Sequence, residues 1–257
     1  MLFAAASLIG CPVAASDGRI GAVEDFLLDD RRWTVRWLVV DTGDWLPGRK
    51  VLIHPSAVAP IRLPPRPAFP MLAVGEQMAL PVNLTRAQVE ASPEAAADEP
   101  VTEDMEQRLF DHYGWDPFFS APQLGGEPAI LRPAARAIPA EGPAGGGPRL
   151  GSAAALKGFS VHAADGDAGS VDNVFLDDVR WTVGHLVVAT RGWLRGRLVR
   201  VPITAVASVD WTARSVTLDV ARERVESAPV WDPTRVMADD LVEARLREHF
   251  GPPERGA

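Results

Sequence analysis

A duplication constrains the fold more than any other feature of this chain. Residues 10–61 align without a gap on residues 158–209 at an offset of 148, with about half of the positions identical. Self-similarity of this length points to two copies of one small unit, where 257 residues alone would also allow one large domain. Each copy is punctuated as an all-β unit. Asp17-Gly18 and Asp165-Gly166 are turn dipeptides, because Gly reaches positive φ at little cost and Asp bonds nearby backbone. Residues 22–28 read as a strand, Asp29-Asp30-Arg31-Arg32 as a turn and residues 33–41 as the next strand. Simple alternation puts Trp33, Val35, Trp37 and Val39 on one face and Thr34, Arg36, Leu38 and Val40 on the other, and apolar groups on both faces predict a central strand. Trp45-Leu46-Pro47-Gly48 then turns into a strand over 49–53. Shorter strands follow over 58–61 and 215–220, the latter matched by 77–82 in the first copy. Five or six short strands in roughly 70 residues suit a small closed barrel, which leaves no exposed edge.

A helical appendage follows each unit. Thr85-Arg86-Ala87-Gln88 has capping-box spacing, so the sequon-like Asn83-Leu84-Thr85 reads as the start of a capped helix. The matching segment, 221–229, lies at an offset of 136, which places 12 extra residues in the Pro-rich stretch 63–76 of the first copy. Residues 102–113 read as a second helix, with Glu103 and Asp104 favourably placed in its first turn and Gly114 as its stop. The stripe Met105, Leu109, Tyr113, repeated as Val242, Leu246, Phe250, is expected to pack back on the β unit. Residues 120–150, dense in Pro, Gly and Ala, read as a linker. The expected organisation is therefore 1–119, a linker over 120–150, and 151–257.

The net charge of −8, from 26 Lys+Arg against 34 Asp+Glu, argues against a surface built for nucleic acid or anionic lipid. Cys11 is the one cysteine, which excludes a disulfide framework and a Cys-rich zinc site. Leu8-Ile9-Gly10-Cys11 matches a lipoprotein cleavage pattern, but no Lys or Arg precedes Arg19, and the repeat sets Cys11 opposite the interior residue Phe159. Cys11 is read as a small buried hydrophobe. The apolar run at the start falls short of the roughly 20 residues that span a bilayer, and a cytoplasmic location is expected.

These landmarks carry a resemblance. Asp-Gly and a following Gly, then Phe26-Leu27-Leu28-Asp29-Asp30, Trp33-Thr34-Val35, Leu38-Val39-Val40, Trp45-Leu46-Pro47-Gly48-Arg49 and Val89-Glu90-Ala91-Ser92-Pro93 resemble the PRC-barrel family. Asp111-His112-Tyr113-Gly114-Trp115 is similar to the helix ending of its bacterial tandem members. The family takes its name from the cytoplasmic barrel of the photosynthetic reaction-centre H subunit, and a related barrel occurs in a ribosome-maturation factor. The resemblance implies a mainly β fold with α appendages: two tandem small PRC-type β-barrels, each followed by short helices. It also implies a barrel that contacts other macromolecules without catalysing a reaction. Neither named role transfers, since this sequence shows no membrane helix ahead of its barrel and no basic surface for ribosomal RNA.

The candidate chemistry is sparse. Asp29-Asp30 and Asp177-Asp178 could hold a divalent cation if further oxygens converged on them; as turn residues they would cap backbone and pair with Arg32 or Arg180, and this is the reading favoured here. His112 and His249 recur in the last helical turn, where each can bond a terminal carbonyl. His54, His162 and His185 face Pro202, Ala14 and Trp37 in the other copy, which does not suit a site needed twice. The repeated indoles Trp33/Trp181 and Trp45/Trp193 read as core or turn cover, whereas Trp37, Trp115, Trp211 and Trp231 are unmatched and are the candidates for a copy-specific interaction surface. No nucleophile elbow, phosphate loop, zincin helix or dinucleotide fingerprint occurs. The expectation is a non-enzyme without cofactor, acting as a protein-interaction or assembly module on an unidentified partner or by self-association. A peripheral accessory of a membrane or reaction-centre electron-transfer complex, and a metal-binding stress protein using the Asp-Asp turns, are the alternatives.

Overall fold

The computed structural model of the chain describes residues 2–59, 79–94, 101–115, 150–191, 196–233 and 240–251. The first copy contributes Leu2–Ala4 (β1), Pro12–Ala15 (β2), Gly18–Asp29 (β3), Thr34–Asp41 (β4), Lys50–Ile53 (β5) and Leu80–Pro81 (β6), followed by helices Arg86–Glu90 (α1) and Glu103–Tyr113 (α2). The second contributes Leu150–Ser152 (β7), Ala153–Leu156 (α3), Ser160–Ala163 (β8), Gly166–Asp177 (β9), Val183–Thr190 (β10), Leu198–Pro202 (β11), Val206–Asp210 (β12), Ser215–Leu218 (β13), Arg222–Glu226 (α4) and Asp240–Phe250 (α5). The fold is mainly β, with short helices. Its two sheets have the orders β5-β4-β3-β2-β6 and β11-β10-β9-β8-β13-β12, and β4 and β10 are central, as their two apolar faces require. The expected linker lies outside the described residues over 120–149, while its last residue, Leu150, opens β7; the Pro-rich stretch 63–76, residues 60–61 and 77–78, and Trp193 also lie outside them.

Two expectations are corrected. Neither sheet closes on itself among the described residues, where a closed barrel was expected. Strand alternation also fails within β4 and β10. Leu27 faces Trp37 while Leu28 faces Val35, which leaves Arg36 as a bulge, and the same shift recurs at Gly184. An extra residue flips every later side chain to the opposite face. Val35 therefore joins Leu38 and Val40 in the main core, and Trp37 turns outward to a second cluster with Leu52, Leu109 and Phe110.

The two sheets are joined by an exchange of strands. β3 holds β4 along one edge, and β2 and then β7 along the other; β9 likewise holds β10, then β8 and β1. The strand that opens each copy is thus paired with the sheet of the other copy. The registers are equivalent: Leu2 faces Asp177 and Leu150 faces Asp29, so both members of the pair move by the same 148 residues. The two β-hairpin turns meet at the centre of this arrangement. Val35 N donates to the Trp181 carbonyl and Val183 N to the Trp33 carbonyl, each at 2.7 Å, around a Thr34–Thr182 bridge. Trp33 and Trp181 take left-handed φ values of 54° and 51°. Such a backbone costs an L-residue about 1–2 kcal/mol, and it persists here because the turn and the cross-repeat bond both require it.

Side chains reinforce the exchange. Asp25 accepts from Ala154 N at 3.0 Å and from the Ser152 hydroxyl, and its counterpart Asn173 accepts from Ala6 N at 3.2 Å. One apolar cluster runs through both copies, joining Phe3, Phe26, Leu28 and Val35 to Phe159, Leu176, Trp181 and Val183. Phe3 has no aromatic counterpart, because the matching residue is Gly151; a Cβ there would overlap the Trp211 indole, which occupies that space from another strand turn. The pattern, in which i meets j and i+148 meets j−148, is the signature of a two-fold related interface, here folded into one chain.

Candidate functional site

Several polar residues that recur in both copies turn inward to the scaffold, whereas the repeated pair Arg32 and Arg180 is exposed. Asp17 Oδ1 accepts from Arg86 N at 2.8 Å and Asp165 Oδ1 from Arg222 N at 2.6 Å, fixing the start of the short helices α1 and α4. At their other ends, Arg49 donates to the carbonyls of Glu90 and Ser92, and Arg197 to that of Glu226. His112 Nε2 donates to the Gln88 carbonyl at 2.8 Å and His249 Nε2 to that of Arg224 at 2.7 Å. This corrects the expectation of a bond within the histidine's own helix: each histidine ties the long helix to the short one before it. The capping box at Thr85 and Gln88 is formed as read.

The four turn carboxylates do not converge. Asp29 Oδ1 accepts from the amides of Arg31 and Arg32, and Asp177 Oδ1 from those of Val179 and Arg180, so the bonds run to backbone and not to the guanidinium groups. Asp30 Oδ2 accepts from Trp211 Nε1 at 2.7 Å across the two copies. Among the described residues no group of three or more His, Cys, Asp or Glu is placed to hold a metal ion. Cys11 is buried, its Sγ 3.5 Å from the Ser7 carbonyl, and burial pushes its thiol pKa up, which suits a packing role.

The unmatched tryptophans lie under helices or between copies. Trp37 is 0% exposed and Trp231 is also buried, so neither offers a surface to a partner; Trp115 and Trp211 are half-buried. Trp37 fills the outer face of the first sheet beneath α2. Its ring packs on Phe110 and His54, each at 5.6 Å, and on Trp115, which stacks on Tyr113 at 4.2 Å. Glu106 of α2 accepts from Trp37 Nε1 at 2.7 Å and from Arg36 at 3.0 Å. The second copy covers the same face with different chemistry. His185 stands in place of Trp37 and Arg200 in place of Leu52, with Trp231 packed edge-on to Phe175 at 5.5 Å. Arg200, 1% exposed, lies 4.9 Å over the Phe175 ring and donates to Glu243 of α5 at 2.6 Å, and Glu243 Oε2 is 3.5 Å from His185 Nε2. Each long helix is thus held by one carboxylate gripping a sheet arginine. The two arginines come from different strands, which hides the equivalence from the alignment; only the shared placement of Glu106 and Glu243 four residues before Phe110 and Arg247 hinted at it.

Both buried histidines are held neutral. Desolvation, and then the Arg36 guanidinium, lowers His54 to about 4; desolvation and then Arg200 lowers His185 to about 4. Glu243 would favour an imidazolium, but it is already engaged by Arg200 at the shorter distance. Replacing Glu106 by Ala should cost about 2–4 kcal/mol, because it leaves Arg36 and the buried Trp37 N–H without their acceptor, while Glu106→Gln should cost less, since its carbonyl can still accept from the indole. Urea unfolding of the two variants measures this. Equal and near-zero losses would contradict the role given to Glu106.

An open depression of about 380 Å³ remains between β3 and the turn after β4, lined by Arg19, Gly21, Asp41, Gly43, Asp44 and Trp45. Arg86 stacks 4.5 Å over Trp45 at its rim. In the second copy an Asp167–Arg191 ion pair of 3.2 Å stands where the first has Arg19 and Gly43. The depression brings together charges of both signs, Arg19 with Asp41 and Asp44.

Fold and site together define a small duplicated β module in which Asp17/Asp165, Asp29/Asp177 and His112/His249 serve the scaffold. A family model described as PRC-barrel domain matches residues 1–62, the stretch that holds most of the first copy's landmarks. No curated protein matches the chain. Among the described residues no helix is long and apolar enough to cross a membrane.

Proposed function

We propose that this chain is a non-catalytic protein-interaction or assembly module built on the PRC-barrel framework. One observation carries the reading: duplication has kept the scaffold residues, and Asp17/Asp165, Arg49/Arg197, His112/His249 and Asp29/Asp177 all bond within the fold. The hairpin turns at the centre offer instead exposed side chains outside this scaffold, namely Arg31, Arg32, Arg180 and Val179, the last 72% exposed.

The test is affinity capture by the tagged full chain from its native lysate, in parallel with Val179→Glu combined with Arg32→Glu and Arg180→Glu. A partner recovered in near-equimolar amount by the wild type, and lost by a variant of unchanged melting temperature, is the expected result. Failure to recover any stoichiometric partner across growth conditions would contradict the reading.

A further inference from the structure

We propose that the contact between the two copies can also be made between two molecules, so that a second copy of this chain is a partner by exchange: the first repeat of one molecule pairs with the second repeat of the other. This goes beyond the interaction-module reading and stands on a separate observation, the equivalent registers of β1 on β9 and β7 on β3. Such an interface is pseudo-two-fold, and in the exchanged dimer it is formed twice, each first repeat meeting the second repeat of the other molecule, so that the pair closes without open ends.

Exchange preserves each contact across the centre. The Val35 to Trp181 and Val183 to Trp33 bonds, the Asp25 and Asn173 caps, the Trp211 to Asp30 bond and the shared core around Phe3 depend only on which repeat meets which. None of these contacts requires the two repeats to belong to one molecule. The two described parts are joined through residues 116–149, long enough at up to about 3.5 Å per residue to serve either arrangement. What separates the two forms is concentration. A tethered repeat meets its own partner at an effective concentration of the order of millimolar, so the monomer dominates at micromolar protein and exchange competes when the chain refolds near millimolar. Leaving the exchanged form requires opening the common core, so it should persist on dilution.

Thr34 and Thr182 provide the probe. They face each other as a non-hydrogen-bonded antiparallel pair, whose Cα separation of about 4.5 Å is within disulfide range. In a Cys11→Ser background, Thr34→Cys and Thr182→Cys are made singly and together. The double variant refolded at about 1 µM should form an intrachain disulfide. The two single variants, denatured, mixed and refolded at about 1 mM, should give a disulfide-linked heterodimer amounting to roughly a tenth of the protein or more, well above the homodimers each forms alone, and this should fall at least tenfold at 1 µM. Light scattering of wild-type protein refolded at the two concentrations reads the same exchange without a substitution. If the mixture gives no excess heterodimer while the double variant cross-links within the chain, exchange between molecules is overturned; if the double variant does not cross-link, the pairing itself is wrong. Neither result depends on capture of a foreign partner, so this inference and the proposed function can fail separately.

Discussion

Replacing Phe3 by Ala is expected to destabilise the whole chain by about 3–5 kcal/mol, the usual cost of deleting a buried phenyl ring. Phe3 is buried against both copies, from a strand of three residues that would otherwise look like a disposable end. Because β1 completes the edge of β9 while its own chain continues into the first sheet, the loss should fall on a single transition. Urea unfolding followed by tryptophan fluorescence and by far-ultraviolet circular dichroism should give coincident curves, displaced together. Two separated steps, with only one displaced, would show that Phe3 serves one copy alone.

The second large effect is acid lability. A histidine whose folded pKa is depressed is stabilised as the neutral imidazole, and the unfolded chain binds the proton more readily. Stability from His54 and His185 is therefore fully present above the ordinary value of 6.5 and is lost as pH falls from 6.5 towards about 4. Each histidine accounts for up to ~2 kcal/mol lost by pH 5 and ~3 kcal/mol by pH 4. Urea midpoints measured between pH 7.5 and 5 should fall steeply, and His54→Gln combined with His185→Gln should flatten the slope. A wild-type profile that is already flat over that interval would contradict the burial assigned to these rings.

Much of the fold was legible because its signals are local. Asp-Gly turns, the Thr85–Gln88 capping box, the Gly114 stop and the Met105, Leu109, Tyr113 stripe each rest on the chemistry of a few adjacent residues. The strand exchange was not legible in this way. β1 and β7 are three residues long, carry no period, and differ at Phe3 and Gly151. A signal was nevertheless present, since Leu2, Ala5, Ala6 and Leu8 recur as Leu150, Ala153, Ala154 and Leu156 and extend the repeat back to its exchanged strands. The bulge at Arg36 was hidden because alternation assumes an unbroken ladder, and it is what buried Trp37 instead of leaving it for a partner. The paired carboxylates of α2 and α5 were hidden because Arg36 and Arg200 reach the same face from different strands.

The two copies share one core through reciprocal strand exchange. Amide hydrogen exchange at Val35 and Val183 tests it most directly, because each N–H donates across the copies. The account predicts that both are protected to the level of interior amides of β4 and β10, such as Val40 and Val188, and open only with global unfolding. Fast exchange at Val35 and Val183, with Val40 and Val188 still protected, would mean that the copies fold side by side without this joint.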